Sequence, residues 1–136
     1  MMTDTFLFRQ VQSISVEAFS NLLNVSGINR PVDDIARLTK MLEHSNYIWT
    51  AWDEGHLIGI ARALTDFSYV CYLSDLAVDK SYQGQGVGKK LVEMMSQNLG
   101  EDVAMVLLSA PSALEYYPKL GFLKTDKAFI IPRKPF

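Results

Sequence analysis

Residues 76–90 read LAVDKSYQGQGVGKK, and three glycines fall within the five positions from Gly84 to Gly88. An apolar strand pattern precedes the glycines and a helical pattern follows them. Glycine loses more conformational entropy on folding than other residues do. A cluster of glycines is therefore typical of positions where a side chain would block the path of the backbone or the approach of a ligand. A helix N-terminus offers unpaired N–H groups and the positive end of a dipole, and together these bind phosphate. The stretch therefore predicts a phosphate-bearing ligand, with a tight ligand-free connection as the alternative.

Two nucleotide-binding motifs do not fit this turn. A P-loop requires four residues between its glycines, followed by Lys and then Ser or Thr. Here the residue five before Gly88 is Gln83, and Lys89 is followed by Lys90. A dinucleotide-binding fingerprint requires Gly or Ala where Lys89 stands. The glycines therefore belong to another kind of site.

The periodicity of apolar residues predicts the element order β-α-α-β-β-β-α-β-α-β. The predicted strands are Phe6–Val11, Tyr47–Trp52, Leu57–Leu64, Tyr69–Val78, Val103–Leu108 and Phe122–Ile131. The predicted helices are Ser15–Val25, Pro31–His44, Gly86–Leu99 and Pro111–Leu120. This order predicts one mixed α/β domain over residues 1–136, with its ligand where a strand leads into the glycine-rich turn.

Composition narrows the classes of partner. The length of 136 residues suits one domain, and the net charge of −2 gives no electrostatic reason to expect nucleic acid. The single cysteine, Cys71, excludes an internal disulfide and a multi-cysteine zinc site, and we expect it to be buried. No apolar run approaches the ~18 residues of a membrane span, and no secretory signal is visible. We therefore expect a cytoplasmic protein without metal, nucleic acid or membrane partners.

Two short patterns together resemble the GNAT superfamily of N-acetyltransferases. The first, Arg or Gln, two residues, Gly, one residue, then Gly or Ala, is matched by Gln83, Gly86 and Gly88. The second, Tyr-x-Lys-x-Gly-Phe, is matched by Tyr117, Lys119, Gly121 and Phe122. The predicted element order also matches the family, so the resemblance covers nearly the whole chain. It implies a mostly antiparallel N-terminal sheet with parallel central strands splayed around the cofactor.

A looser likeness points to the bacterial relatives of plastid-type amine acetyltransferases. It is carried by Arg30-Pro31, Ile58-Gly59, Ala61-Arg62-Ala63 with Asp66, and Ser74-Asp75-Leu76. That subgroup acetylates arylalkylamines or protein amines. The resemblance thus implies an enzyme that moves the acetyl group of acetyl-CoA to a primary amine of a small molecule or peptide. The two substrates would bind together, and the amine would attack directly. The alternative is a catalytically idle acyl-CoA-binding regulator.

The resemblance implies a set of cofactor contacts and no metal. The amides of the glycine turn, with Lys89, would hold the pyrophosphate, and a strand beside it would pair with the pantetheine arm. One N–H of that strand, near Leu76 or Ala77, would face the developing oxyanion. The predicted cofactor-binding residues are Leu76, Ala77, Val78, Gln83, Gly84, Gln85, Gly86, Val87, Gly88 and Lys89.

Two residues are the predicted catalytic groups. Tyr117 matches the family position that often protonates the leaving thiolate, and Tyr116 is expected to pack on the core. Asp75 is the preferred general base, because an acid among apolar strand residues looks costly without a role. A structural aspartate is its alternative, and Asp66, Glu115 and Tyr72 are weaker candidates for the base. We expect His44 and His56 to lie on the surface.

The acceptor side is less defined by sequence. Many relatives carry an asparagine where Ala110 stands, and Ser109 or Ser112 is a possible substitute. The segment from Val25 to His44 would form one wall of the acceptor cleft. It offers Asn29 and Arg30, beside the aromatic residues Tyr47, Trp49 and Trp52. Aromatic and acidic neighbours would suit a small cationic amine, whereas Arg30 would suit an acceptor carboxylate. The apolar residues 129–131 suggest a homodimer.

Overall fold

The computed structural model describes residues 5–136, which form a five-stranded sheet and three α-helices. The strands are β1 (Leu7–Val11), β2 (Tyr47–Asp53), β3 (His56–Thr65), β4 (Val70–Val78) and β5 (Ala104–Val106). The helices are α1 (Val16–Ser26), α2 (Ile35–Glu43) and α3 (Val87–Leu99). Short 3-10 turns occupy Lys80–Tyr82, Pro111–Ala113 and Tyr117–Leu120. No helix in these described residues has the length and apolar character of a membrane span.

The sheet runs in the order β1-β2-β3-β4-β5 and changes character at its last pair. Strands β1 to β4 pair antiparallel, whereas β4 and β5 are parallel. The parallel pairing covers only Val70–Tyr72 against Ala104–Val106. From Leu73 onward, β4 and the chain after β5 separate. This confirms the predicted antiparallel sheet with a parallel pair that splays apart.

Helices cover both faces of the sheet and complete two apolar layers. On one face, α3 packs Val87, Leu91 and Met95 against β2, β3 and β4. On the other face, α1 and α2 pack a second cluster against the sheet, which includes Phe19, Leu22, Leu23, Leu38 and Leu42. Cys71 is fully buried in the α3 layer, as predicted.

A β-bulge in β4 changes which face its side chains meet. Arg62 of β3 lies opposite Asp75 and Ala63 lies opposite Leu73, so Ser74 has no opposite residue. As a result, Leu73 and Leu76 both face α3, whereas Asp75 and Ala77 face α1 and α2. The bulge therefore places adjacent residues of one strand in two different environments.

The predicted start of the second helix was wrong. Helix α2 begins at Ile35 because the side chain of Asp34 accepts the N–H of Arg37 and caps it. The residues before it form a turn instead, in which the Asp34 N–H donates to the carbonyl of Pro31. Arg30 consequently lies in an irregular loop between α1 and α2.

The C-terminal elements were also predicted wrongly. The expected helix 111–120 is two short 3-10 turns, because Pro118 lacks the N–H that an α-helix would need there. Strand β5 ends at Val106 rather than Leu108. The expected strand 122–131 has no regular structure, and the side chains of Phe129 and Ile131 are 96% and 98% exposed. Apolar alternation there has no neighbouring strand to pair with.

Candidate active site

A cleft of about 1110 Å³ opens where β4 and the chain after β5 separate. Its walls come from the loop after α1, the second half of β4, the glycine turn with the start of α3, and the segment from Leu107 to Leu120. Arg133 and Phe136 also line it. We refer to this space as the cleft.

The glycine turn presents the start of α3 to the cleft. Gly84 and Gly86 have φ angles of 83° and 82°, a left-handed conformation that other residues rarely adopt. Gly86 is the N-cap of α3, and no side chain accepts a hydrogen bond from the N–H groups there. Those groups therefore remain available, together with the positive end of the helix dipole, to hold an anion.

The remaining predicted cofactor residues cluster around the same point. All of them except Gln85 line the cleft. The side-chain amide of Gln83 donates to the carbonyl oxygens of Val78 at 2.9 Å and Ser26 at 3.3 Å, which ties the turn to β4 and α1. The structure thus brings these residues together, and their contacts with a cofactor stay a prediction.

Gly88 has a steric rather than a conformational reason to be glycine. A Cβ on this residue would collide with the hydroxyl of Tyr116, whose ring leans over the first turn of α3. Tyr116 lines the cleft instead of packing only on the core as expected. The sequence signal for this contact is weak, because it joins two segments about thirty residues apart.

Tyr117 lies in the cleft wall with aromatic neighbours on two sides. Its ring centroid is 5.3 Å from that of Tyr116 and 5.7 Å from that of Phe122, both in edge-on geometry. Gly121, with a φ of 99°, reverses the chain so that Phe122 returns onto Tyr117. The burial of Tyr117 raises its pKa, helped by Tyr116 and Asp75 and opposed by Arg30. The phenol therefore keeps its proton at neutral pH.

Asp75 lies beneath the cleft with both carboxylate oxygens occupied. Its side chain is fully buried, and the Nε atoms of Arg30 and Arg62 lie 2.6 and 2.5 Å from its two oxygens. It does not line the cleft. The geometry favours a structural role over that of a base, because proton uptake would break both ion pairs. The catalytic role of Asp75 stays a prediction that the measurement below addresses.

Arg62 is the member of this cluster for which the sequence predicted no role in the site. Only 5% of its side chain is exposed, and it donates to the hydroxyls of Ser45 and Ser74, each at 2.9 Å. The available signal was an arginine between alanines in an otherwise apolar strand, since a buried charge needs a partner. We call Arg30, Asp75 and Arg62 the arginine–aspartate triad.

The weaker candidates for the base lie away from the cleft. The carboxylate of Asp66 accepts the N–H groups of Ser68, Tyr69 and Val70, and these hydrogen bonds lower its pKa. Neither Glu115 nor Tyr72 lines the cleft. His44 and His56 are exposed, as predicted.

The acceptor wall is only partly as expected. Asn29 and Arg30 line the cleft, together with Ser109, Ala110 and Ser112. The three aromatic residues of β2 proposed as neighbours of the acceptor do not line it, so that prediction was wrong. Two of them, Tyr47 and Trp49, are buried under α3. Within residues 5–136, no three His, Cys, Asp or Glu side chains group closely enough to hold a metal ion.

Comparison with known proteins identifies related acetyltransferases. A family profile described as "Acetyltransferase (GNAT) domain" matches residues 22–130. A relative from Arabidopsis thaliana, "GCN5-related N-acetyltransferase 2, chloroplastic", is 42% identical over 71 residues, which are 51% of this chain and 28% of the relative. The chain spans less than a third of the length of this and two Glycine max acetyltransferases.

Solved structures share the fold over almost the whole chain. A probable acetyltransferase of unknown function from methicillin-resistant Staphylococcus aureus has a TM-score of 0.77 at 26% identity, covering 94% of this chain and 99% of that one. The aminoglycoside N-acetyltransferase AAC(6′)-Iy, solved in complex with CoA, has a TM-score of 0.68 at 22% identity and covers 95% of both chains.

Proposed function

The chain belongs to the GNAT acetyltransferase family, and we propose that it transfers the acetyl group of acetyl-CoA to a primary amine. One observation carries the proposal: the uncapped start of α3 opens onto the same cleft as the unpaired edge of β4. The two features suit the two ends of a coenzyme A thioester. The phosphates need fixed N–H donors, and the pantetheine amides need an extended backbone partner.

The residues present fit this co-substrate. The amides at the start of α3 would bind the pyrophosphate, and the absence of a Cβ at Gly84 and Gly86 leaves open space above the turn. Leu73–Val78, past the last pair with β5, would offer backbone groups to the pantetheine arm. Acetyl-CoA would supply an acetyl group already activated as a thioester.

Tyr117 is the group best placed to donate a proton in the cleft. Acetyl transfer forms a C–N bond, breaks the C–S bond and leaves a thiolate that must gain a proton. Because burial raises the pKa of Tyr117, the phenol is protonated at neutral pH and has a proton to give. The attacking amine must lose a proton, and solvent in the open cleft would take it, since Asp75 is enclosed by two arginines.

The test measures binding and turnover separately. Calorimetry with acetyl-CoA reports whether the cleft binds the co-substrate. Thiol release, followed with a thiol reagent over a panel of amines, reports transfer. Binding with amine-dependent release is the expected result. Binding without release from any amine would instead indicate an idle acyl-CoA-binding regulator, and absence of binding would refute both functions.

A further inference from the structure

All charged side chains that line the cleft carry the same sign. They are Arg30, Lys89, Lys119 and Arg133, and no aspartate or glutamate of the described chain lines it. Composition does not explain this, because the whole sequence has 15 acidic residues and only 13 lysines and arginines. The side chains of the cleft are therefore positive on a slightly negative protein, and positive side chains attract anions.

The four cations come from different segments of the chain around the cleft. Lys89 follows Gly88 in the first turn of α3, and Lys119 lies on the turn next to Tyr116, whose hydroxyl packs against Gly88. Under the proposed function, these two lysines would bind the phosphates of the coenzyme.

The two arginines come from the loop before α2 and from the C-terminal segment whose Phe136 contacts α2. Arg30 comes from the loop that precedes this helix. Arg133 lies three residues before Phe136, whose ring is 5.6 Å from the guanidinium of Arg37 on α2. These two arginines are therefore available to contact the other substrate, the acceptor.

Arg30 has donors left for a ligand. A guanidinium carries five N–H groups. Three are accounted for by Asp75, the carbonyl of Asn29 at 2.7 Å and the carbonyl of Ser74 at 2.7 Å. The side chain is 28% exposed and lines the cleft, so the other two can face solvent or a ligand.

The triad also keeps a surplus positive charge. One carboxylate faces two guanidiniums, so the three side chains sum to +1. Arg62 is 5% exposed and Arg30 is 28% exposed, so the surplus reaches the cleft through Arg30. A second ammonium in the acceptor would meet repulsion from Arg30 here.

We propose, resting on the proposed function, that the acceptor is a primary amine that also carries a carboxylate, held by Arg30 and Arg133. The planar guanidinium matches a carboxylate through paired N–H donors, and such charge-assisted hydrogen bonds are the stronger kind. Small amino acids belong to this class. Polyamines and aminoglycosides, which carry several ammonium groups and no carboxylate, do not.

The experiment compares amines that differ only in the carboxylate. Thiol release from acetyl-CoA is followed with phenylalanine against phenethylamine and with ornithine against putrescine, and rates are expressed per concentration of unprotonated amine. The kcat/KM of each carboxylate-bearing member should be about 10-fold higher or more, which corresponds to about 1.4 kcal/mol. Phosphoethanolamine against ethanolamine tests whether a phosphate substitutes for the carboxylate. A phosphate preference without a carboxylate preference contradicts the proposal.

A matched pair of variants locates the contact. Arg133→Gln should raise the KM for the carboxylate-bearing amine about 10-fold and leave the KM for acetyl-CoA and for the decarboxylated amine within about twofold. Lys134→Gln, next to it but outside the cleft lining, should change none of these constants. Equal or better use of phenethylamine and putrescine overturns this inference alone. Absence of acetyl-CoA binding, or of thiol release with every amine, overturns the proposed function.

Discussion

Asp75→Asn removes the one negative charge that Arg30 and Arg62 share, while the size of the side chain stays almost the same. Arg62 is only 5% exposed, so its guanidinium would remain largely buried beside a neutral amide. Breaking a buried ion pair by removing one partner costs about 3–5 kcal/mol. Arg30, at 28% exposure, can turn toward the cleft, which places the expected loss near the lower end of this range.

That loss is large enough to measure without unfolding the protein. At about 0.05–0.15 kcal/mol per residue, a domain of this length has a total stability of about 7–20 kcal/mol. With a urea m value of about 2 kcal/mol/M, a loss of 3–5 kcal/mol lowers the unfolding midpoint by about 1.5–2.5 M. Both tryptophans, Trp49 and Trp52, lie in β2, so their fluorescence reports unfolding of the sheet.

Asp79→Asn is the matched control. Asp79 is 13% exposed, its charge faces only His56 at 3.5 Å, and asparagine can still accept the N–H of Ser81. Its unfolding free energy should fall by less than about 1 kcal/mol. An Asp75→Asn loss as small as that of the control would refute the structural reasoning. If the Asp75→Asn variant kept its unfolding free energy but lost nearly all activity, Asp75 would again be the preferred base.

A double variant separates charge from shape. Arg62→Met added to Asp75→Asn replaces the stranded guanidinium by an apolar side chain of similar length, and buried ion groups often tolerate such replacement. The double variant should therefore regain at least about half of the stability that the single variant loses. Additive losses would mean that Arg62 is held by its two serine hydroxyls and Phe19 rather than by Asp75.

Three further predictions concern the cleft. Tyr117→Phe should lower kcat about 10²-fold or more with unchanged acetyl-CoA affinity, whereas Tyr72→Phe, outside the cleft, should change neither. Burial raises the pKa of Tyr117 above its ordinary 10.0, so the phenol should stay protonated up to about pH 9. The kcat should therefore rise from about pH 7 to about pH 9 as the amine loses its proton, and a fall of kcat below pH 9 contradicts the role of Tyr117 as the acid. Gly86→Ala and Gly55→Ala each place an alanine at a positive φ, which costs about 1–2 kcal/mol in both variants. Calorimetry should show a loss of acetyl-CoA affinity only in Gly86→Ala, because only Gly86 lies in the glycine turn.

The sequence was sufficient where local chemistry decides the structure. The glycine turn and α3 follow from residues within a few positions of each other, and both were predicted nearly to their boundaries. A strand, by contrast, needs a partner for its backbone, and residues 122–131 have the alternation without the partner. The homodimer, the cytoplasmic location and the single domain over residues 1–136 stay predictions.

The cleft chemistry was harder to predict because it depends on the bulge. If β4 ran through Ser74 without a bulge, simple alternation would place Asp75 and Leu73 on the same face of the sheet. An acid among apolar strand residues predicts a catalytic base, and aromatic and acidic neighbours predict a cationic acceptor. In the structure Asp75 faces α1 and α2 and does not line the cleft, whereas Arg30 from the α1–α2 loop does.

The same bulge gives the arginine–aspartate triad a role in the site that needs no proton transfer. Arg30 donates to the backbone carbonyl of Ser74 and Arg62 donates to its hydroxyl, so both guanidiniums hold the bulged residue. Asp75 fixes the two guanidiniums in turn. The bulge sets the direction in which Leu76 and the following amides face, so losing the triad would disturb the strand that the thioester is proposed to follow. We therefore expect Asp75 to position the strand through the two arginines, which would explain a buried acid in an apolar strand, and the Asp75→Asn measurements test this role against that of a base.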